Sequence, residues 1–164
     1  MVLIVAVDDK FGIGREGNLL TYIPEDLAYF KEMTLNKTIV IGRKTLESFK
    51  NGVPLPKRQH IVMTRTKTYD HPRITTVSSV EQLLKTVKAY NPEEVFVSGG
   101  GNIYALLLPY CQKAYVTMIE ADLKADTFMP DLRLHKEWRC TEEGPWLETP
   151  DFRYRHTTWV RAAL

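Results

Sequence analysis

The sequence is short of the features that small secreted or metal-dependent proteins rely on. It has only two cysteines, Cys111 and Cys140, with no CxxC spacing and no histidine pattern beside them. That excludes a disulfide scaffold and a zinc ribbon, so no metal is expected, and two free thiols suit a reducing compartment. Charge of neither sign dominates: 22 Lys and Arg face 20 Asp and Glu, for a net +2. General attraction to nucleic acid or to a membrane surface is thereby excluded, while local cations can still hold a small anion. Long apolar runs are missing. MVLIVAVDDK carries a short one with no basic leader or cleavage site, so it reads as a buried strand, and the expected location is the cytoplasm. Repeats, low-complexity tracts and linkers are missing as well, and the 164 residues are expected to form one domain, 1–164.

What is present is alternation. VLIVAV (2–7), TIVIG (38–42), HIVMT (60–64), ITTV (74–77) and EVFVS (94–98) are short, β-branched and almost wholly apolar. Such runs suit strands covered on both faces. Helical patterns lie between them at 24–34, about 43–49, 79–90 and 101–108. Further on, KAYVTMIEA (113–121), WRCTEEG (138–144) and FRYRHTTWV (152–160) are strand-like with no helix between them, which suits antiparallel pairing at one side of a sheet. The expectation is an α/β fold: a mixed, mainly parallel sheet of about eight strands flanked by about four helices.

Two glycine-rich stretches carry different weight. GIGREG places Gly12, Gly14 and Gly17 in a G-x-G-x-x-G pattern. The context fails for a Rossmann turn, which must lead from strand directly into helix. Here no helix begins until Pro24, and residues 9–23 read as a long loop of the kind that forms lids. VSGGGNIYALLLP (97–109) runs from strand through three glycines into a helical pattern. Gly99, Gly100 and Gly101 allow backbone amides to approach a ligand, and a helix start favours phosphate. IGRKT (41–45) and MTRT (63–66) add Arg43, Lys44, Thr45, Thr64, Arg65 and Thr66 at two more strand ends. Ligands of α/β sheets bind at that carboxyl edge, and a nucleotide with several phosphates would use all three turns.

In LLTYIPEDLAYFK (19–31), Pro24 sits where a first helical turn tolerates proline. At 100° per residue, Ile23, Leu27 and Phe30 share a face, Asp26 falls at its edge beside Phe30 and Met33, and Glu25 points almost the other way. Glu25 is expected to be solvated. Asp26 is either a first-turn acid complementing the helix dipole or a functional group leaning toward the apolar side.

Taken in order, IG (13–14), IPEDLAYFK (23–31), TIVIGRKTLESF (38–49), PLPKRQHIVMTR (54–65), VFVSGGGNIY (95–104), YVTMIEA (115–121) and ADTFMPD (125–131) resemble dihydrofolate reductase of the bacterial chromosomal type over essentially the whole chain. The resemblance implies that fold, and NADPH-dependent reduction of 7,8-dihydrofolate to tetrahydrofolate by hydride transfer to C6 and protonation of N5. It also implies a monomer open to antifolate inhibitors. Asp26 then matches the acid of the substrate pocket and Thr117 its hydrogen-bonding companion, with Leu19 and Tyr104 also placed at the reacting centre. Ile4, Ala6, Leu27, Phe30, Phe49 and Leu55 match wall positions of the pterin and nicotinamide site, Ala6 touching the cofactor as well, and Arg58 the partner of the glutamate α-carboxylate. Gly42, Arg43, Lys44, Thr45, Thr64, Arg65, Thr66 and Ser78 match positions near the cofactor's phosphates and adenosine. Gly99, Gly100, Gly101, Asn102, Ile103 and Tyr104 match its pyrophosphate and nicotinamide-side turn. Residues 9–23, with Ile13, Gly14, Asn18 and Leu19, match a mobile loop closing over the nicotinamide, Asp126 matches an acid on a second loop bonded to the first, and Thr127 beside it a cofactor-binding position. Leu20 and Thr21 depart from the Pro-Trp that many members carry. A related reductase of pterins or pyrimidines and a non-catalytic nucleotide-binding module are the rival readings.

Overall fold

The computed structural model describes residues 1–162. Strand β1 (Val2–Val7) lies inside the main sheet, where its apolar run places it. After the hairpin strands β2 (Gly12–Arg15) and β3 (Asn18–Leu19) come helix α1 (Pro24–Thr34), β4 (Thr38–Gly42), α2 (Arg43–Ser48), β5 (Gln59–Met63), β6 (Ile74–Val77), α3 (Val80–Val87), β7 (Val95–Val97) and α4 (Gly101–Leu107). The chain then continues with β8 (Lys113–Ile119), β9 (Thr127–Phe128), β10 (Trp138–Glu143), β11 (Leu147–Glu148) and β12 (Arg153–Arg161). The main sheet runs β10-β12-β8-β1-β7-β4-β5-β6, with β11 added beside β12. The strands from β8 to β6 are parallel, and β12 and β10 are antiparallel at the far side. The mixed, mainly parallel sheet with four α-helices is the expected architecture.

Alternation along β1 builds two core layers. Leu3, Val5 and Val7 pack on one face with Val40, Ile61, Leu83, Leu107 and Trp159. Val2 and Ile4 turn to the other, with Ile39, Ile41, Val62 and Phe96, where Tyr29, Phe30 and Met33 of α1 cover them. A strand's period of two thus sends the sheet's even-numbered β1 residues toward α1.

Two expectations need correction. Residues 9–23 are no unstructured loop, because β2 and β3 form a hairpin and β2 also pairs with β9 in a separate three-stranded sheet. Nor do Ile23, Leu27 and Phe30 bury one common face. Ile23 packs with Ile119 and Tyr154, Phe30 packs with the Val2–Phe96 layer, and Leu27 stays 40% exposed. Only Thr34 of α1 is fully buried, so the helix covers the sheet at its C-terminal end and leaves a cleft beside its first turns.

Candidate active site

The register of three strands sets the floor of that cleft. Ala6 of β1 pairs with Thr117 of β8, and Thr117 pairs with His156 of β12. Cross-strand partners share a face, so the three form a row on the side that α1 covers. Asp26 comes down onto this row from the first turn of α1. Thr117 donates its hydroxyl to Asp26 Oδ1 at 2.8 Å, and His156 Nδ1 lies 2.9 Å from the same hydroxyl oxygen. Asp26 Oδ1 and His156 Nδ1 are 3.8 Å apart. Tyr29, one turn along α1, stacks on the His156 ring at 3.9 Å, and Tyr154 meets it edge-on. Burial pushes the Asp26 carboxyl upward, opposed by the Thr117 hydrogen bond and by His156. Burial pushes His156 down, opposed by Asp26. Glu25 is exposed, as the helical geometry requires.

The other end of α1 holds a second charged group. Arg58 is 5% exposed, yet among the described residues no carboxylate pairs with it. Its Nε donates to the Pro56 carbonyl at 3.0 Å and its Nη1 to Thr34 Oγ1 at 3.3 Å. Three N–H groups of the guanidinium remain for an incoming anion. His60 holds this segment in place. Leu55 N donates to His60 Nε2 at 3.0 Å, and His60 Nδ1 donates to the Arg58 carbonyl, also at 3.0 Å. Nε2 accepts, so the ring is neutral. Burial is the main force pushing the His60 pKa down to about 4; the Arg58, Arg73 and His71 charges add to it, and the bond to the Arg58 carbonyl opposes it. Asp26 and Thr34 are eight residues apart on α1, about 12 Å along the axis. Between them Ile4, Phe30, Phe49 and Leu55 supply apolar wall.

The parallel strands end together at the other half of the sheet. Gly42, Met63 and Val77 form one cross-strand row, so Arg43, Lys44 and Thr45, then Thr64, Arg65 and Thr66, then Ser78 follow at one edge. The turn from β7 to α4 joins them, since Gly42 N donates to the Gly99 carbonyl at 2.9 Å. Both α2 and α4 start from a glycine, Gly42 and Gly100, with no side chain capping the first amides. These amides have no partner within their helix. Gly99 has φ 113°, a conformation that favours glycine. A Cβ on Gly100 would lie 3.6 Å from Thr45 Oγ1, and one on Gly42 3.1 Å from Ile103 Cγ1. The surface is thus a cradle of bare amides with hydroxyls and cations around it. Arg43 Nη1 pairs with Glu47 Oε2 at 2.8 Å, whereas Lys44 and Arg65 have no carboxylate partner among the described residues.

The comparisons agree with this geometry. A sequence model of the family described as dihydrofolate reductase matches residues 1–161. The dihydrofolate reductase of Staphylococcus haemolyticus is 40% identical over 128 residues, covering 78% of this chain and 75% of that protein. That of Bacillus subtilis strain 168 is 39% identical over 143 residues, covering 86% and 82%. The chain belongs to the dihydrofolate reductase family. It is therefore an oxidoreductase. The solved dihydrofolate reductase of Enterococcus faecalis, complexed with NADP(H) and RAB-propyl, superposes with a TM-score of 0.86 at 32% identity, covering 99% of this chain and 96% of that one.

The remaining family positions lie on the hairpin, on β9 and on α4. Ile13 and Gly14 lie on β2, Asn18 and Leu19 on β3, and Thr127 opposite Gly14 on β9. Leu19 is 71% exposed. The loop-to-loop bond expected of a dihydrofolate reductase is present, as Glu16 N donates to Asp126 Oδ2 at 2.9 Å. Asn102 is exposed at the start of α4. Tyr104 is buried and donates its hydroxyl to the Ile4 carbonyl at 2.8 Å, and burial pushes its phenol pKa up. It latches the glycine turn to β1. Leu20 and Thr21 are half-buried beside Ile23.

Three side chains that organise these segments were not anticipated. His156 sits in a run read only as a strand, and its register against Thr117 would have exposed it. His60 looked like a strand residue. Asp8, fully buried, accepts from Lys10 N and Gly12 N through Oδ1 and from Leu123 N through Oδ2, at 3.0, 2.8 and 3.0 Å. It fastens the base of the hairpin to the β8–β9 loop. The sequence signal was an acid directly after an apolar strand.

Proposed function

We propose that this chain reduces 7,8-dihydrofolate to tetrahydrofolate with NADPH, and that Asp26 is the group that holds the pterin. The observation that carries the assignment is the Asp26 carboxyl itself. It lies in an apolar cleft with Oδ1 fixed by Thr117, while Oδ2 accepts no hydrogen bond from the described residues. A pterin offers N3–H and its 2-amino group as a planar pair of donors, and a carboxylate meets them with two parallel hydrogen bonds. Arg58, buried without a counter-charge, takes the glutamate α-carboxylate at the other end of α1; an uncompensated buried cation otherwise costs several kcal/mol. Ile4, Ala6, Leu27, Phe30, Phe49 and Leu55 form the walls between.

The bare amides and cations at the sheet edge fit a dinucleotide diphosphate. Gly99 to Gly101 and the first amides of α2 and α4 hold its phosphates with Lys44, Thr45 and Thr64. Arg65, Thr66 and Ser78 take the adenosine side, the guanidinium of Arg65 suiting a 2′-phosphate. When bound, NADPH supplies the hydride that the reaction adds at C6. The protein fixes which face of the pterin is presented, and Asp26 raises the basicity of the ring so that N5 takes its proton from water. The β2–β3 hairpin, including Ile13, Gly14, Asn18 and Leu19, excludes bulk water from the centre. The chain acts as a monomer in the cytoplasm. Among the described residues no helix is long and apolar enough to cross a membrane.

The test is single-turnover hydride transfer from pH 5 to 9. Asp26→Asn should slow the step by roughly a hundredfold at neutral pH, as for a lost acid–base group, with the loss shrinking toward low pH, where solvent protonates the substrate. Glu25→Gln should leave the rate unchanged. A wild-type rate for Asp26→Asn at pH 7 would refute the assignment.

A further inference from the structure

Two bonds meet at the Thr117 hydroxyl, one to Asp26 Oδ1 at 2.8 Å and one to His156 Nδ1 at 2.9 Å. A hydroxyl has one proton to give. If it goes to Asp26, the imidazole must donate from Nδ1. If it goes to the imidazole, Asp26 must itself be protonated and donate to Thr117. Only two states satisfy every atom: a carboxylate with Nδ1–H, or a carboxylic acid with a bare Nδ1. His156 Nε2 makes no hydrogen bond among the described residues and is not sealed from solvent, so it can carry a proton in either state.

We propose that His156 is a positioning residue for Asp26: its Nδ1–H holds the Thr117 hydroxyl toward the carboxyl group, so that the ionised form of Asp26 faces the pterin. This rests on the reading of Asp26 given above and extends it to a third side chain. The two states interconvert with full balance when the ring is an imidazolium. The Nδ1–H bond breaks and its proton goes to Thr117 Oγ1, whose own proton forms the new O–H bond of Asp26. The pair carries no net charge before or after. Tyr29 stacked on the ring and Tyr154 at its edge fix the imidazole plane that this exchange needs. The groups facing His156 are Asp26 and Tyr29 from α1, Thr117 from β8 and Tyr154 on its own strand, with Glu25 acting on Tyr154 from beyond. Asp26 is the only carboxylate within 4 Å of an imidazole nitrogen of His156 among the described residues. Burial lifts Asp26 and lowers His156, so the two titrations move toward each other across the shared Thr117 hydroxyl.

The experiment is NMR titration of the unliganded enzyme, reading the Asp26 ¹³Cγ and the His156 ring ¹⁵N shifts, together with single-turnover hydride transfer from pH 5 to 9. In the wild type, neutral His156 should show the Nδ1–H tautomer, and the Asp26 signal should show a second inflection tracking the imidazole. His156→Phe keeps the stack on Tyr29 and should raise the Asp26 pKa by about one unit, the size expected for losing an opposed hydrogen bond and a nearby cation. The acid limb of the rate profile should move with it. His156→Gln restores an N–H donor without a charge and should bring the Asp26 pKa part of the way back, without the second inflection. Thr117→Val should uncouple the two signals. An unchanged Asp26 pKa in His156→Phe, or a wild-type ring found as the Nε2–H tautomer, overturns the proposal. The Asp26 reading fails separately, through an active Asp26→Asn, whatever the histidine signals show.

Discussion

His60 should make the protein acid-sensitive by a calculable amount. Its ring is fully buried and neutral, accepting from Leu55 N and donating to the Arg58 carbonyl. Its folded-state pKa is about 4 against an ordinary 6.5. Between those values the unfolded chain holds a proton that the folded chain refuses. Stability is therefore whole above about pH 6.5, falls as pH drops through the window, and stops falling below about pH 4. At 1.36 kcal/mol per unit, the full loss is about 3 kcal/mol, with about 2 kcal/mol gone by pH 5. Carboxylates lowered by their partners, such as Asp131 and Asp122, add acid sensitivity of their own, so the reference must be a variant lacking only this imidazole. Urea unfolding of wild type and His60→Gln at pH 7.5 and pH 5 isolates the effect. Wild type should lose about 2 kcal/mol more than the variant, about 1 M in midpoint for a slope near 2 kcal/mol per M. Parallel losses in the two proteins would mean that the ring titrates freely and that its burial does not govern the 55–60 segment.

Arg65→Ala should raise KM for NADPH about tenfold with little change for NADH, one charge-assisted contact being worth about 1.5 kcal/mol or more; steady-state kinetics with both cofactors decides it, and equal effects would remove Arg65 from the 2′-phosphate. Arg58→Leu should weaken dihydrofolate binding about ten- to a hundredfold and leave a pterin without the glutamate tail unaffected, as measured by fluorescence titration. If both ligands weaken alike, the residue only supports the cleft. Gly12→Ala should destabilise the protein by about 1–3 kcal/mol, because its Cβ would fall 2.3 Å from Ala125 Cβ and 2.8 Å from Asp8 Oδ1. Thermal unfolding reads the loss, and an unchanged Tm would show that the hairpin base carries no tight packing.

The parallel half of the sheet was legible because strands covered on both faces leave uninterrupted apolar runs, as in VLIVAV and TIVIG. Helix α1 was legible down to its first residue, since Pro24 and two acids mark a start chemically. The hairpin was not. GIGREG is short and half polar, and its strand partner Thr127–Phe128 lies far along the chain, beyond any local periodicity. Asp26 could be placed on its helix by rotation alone, but its partners came from register. Nothing in HTTWV marks His156 as the residue opposite Thr117. Arg58 was recognisable by its motif, whereas its burial and the His60 clamp depend on how residues 54–60 fold back on themselves.

The anchoring of the hairpin sets a gradient of motion along it. Asp8 ties its base through two backbone amides and a third across the β8–β9 loop, and Met129 N donates to the Phe11 carbonyl beside it. The tip has one tether of that kind, from Glu16 N to the exposed carboxylate of Asp126. The tip is therefore a short lever on a fixed fulcrum. From Gly12 to Arg15 it is about 10 Å long at the rise of a strand; it stays paired with β9 as far as Gly14, where Asp126 N donates to the Gly14 carbonyl, and beyond Gly14 the solvent-screened Glu16–Asp126 bond ties it to that loop. Amide exchange should run slow at Gly12 and fast at Gly17. Ligand traffic over the cleft can then proceed at the speed of a loop opening, with the sheet beneath undisturbed.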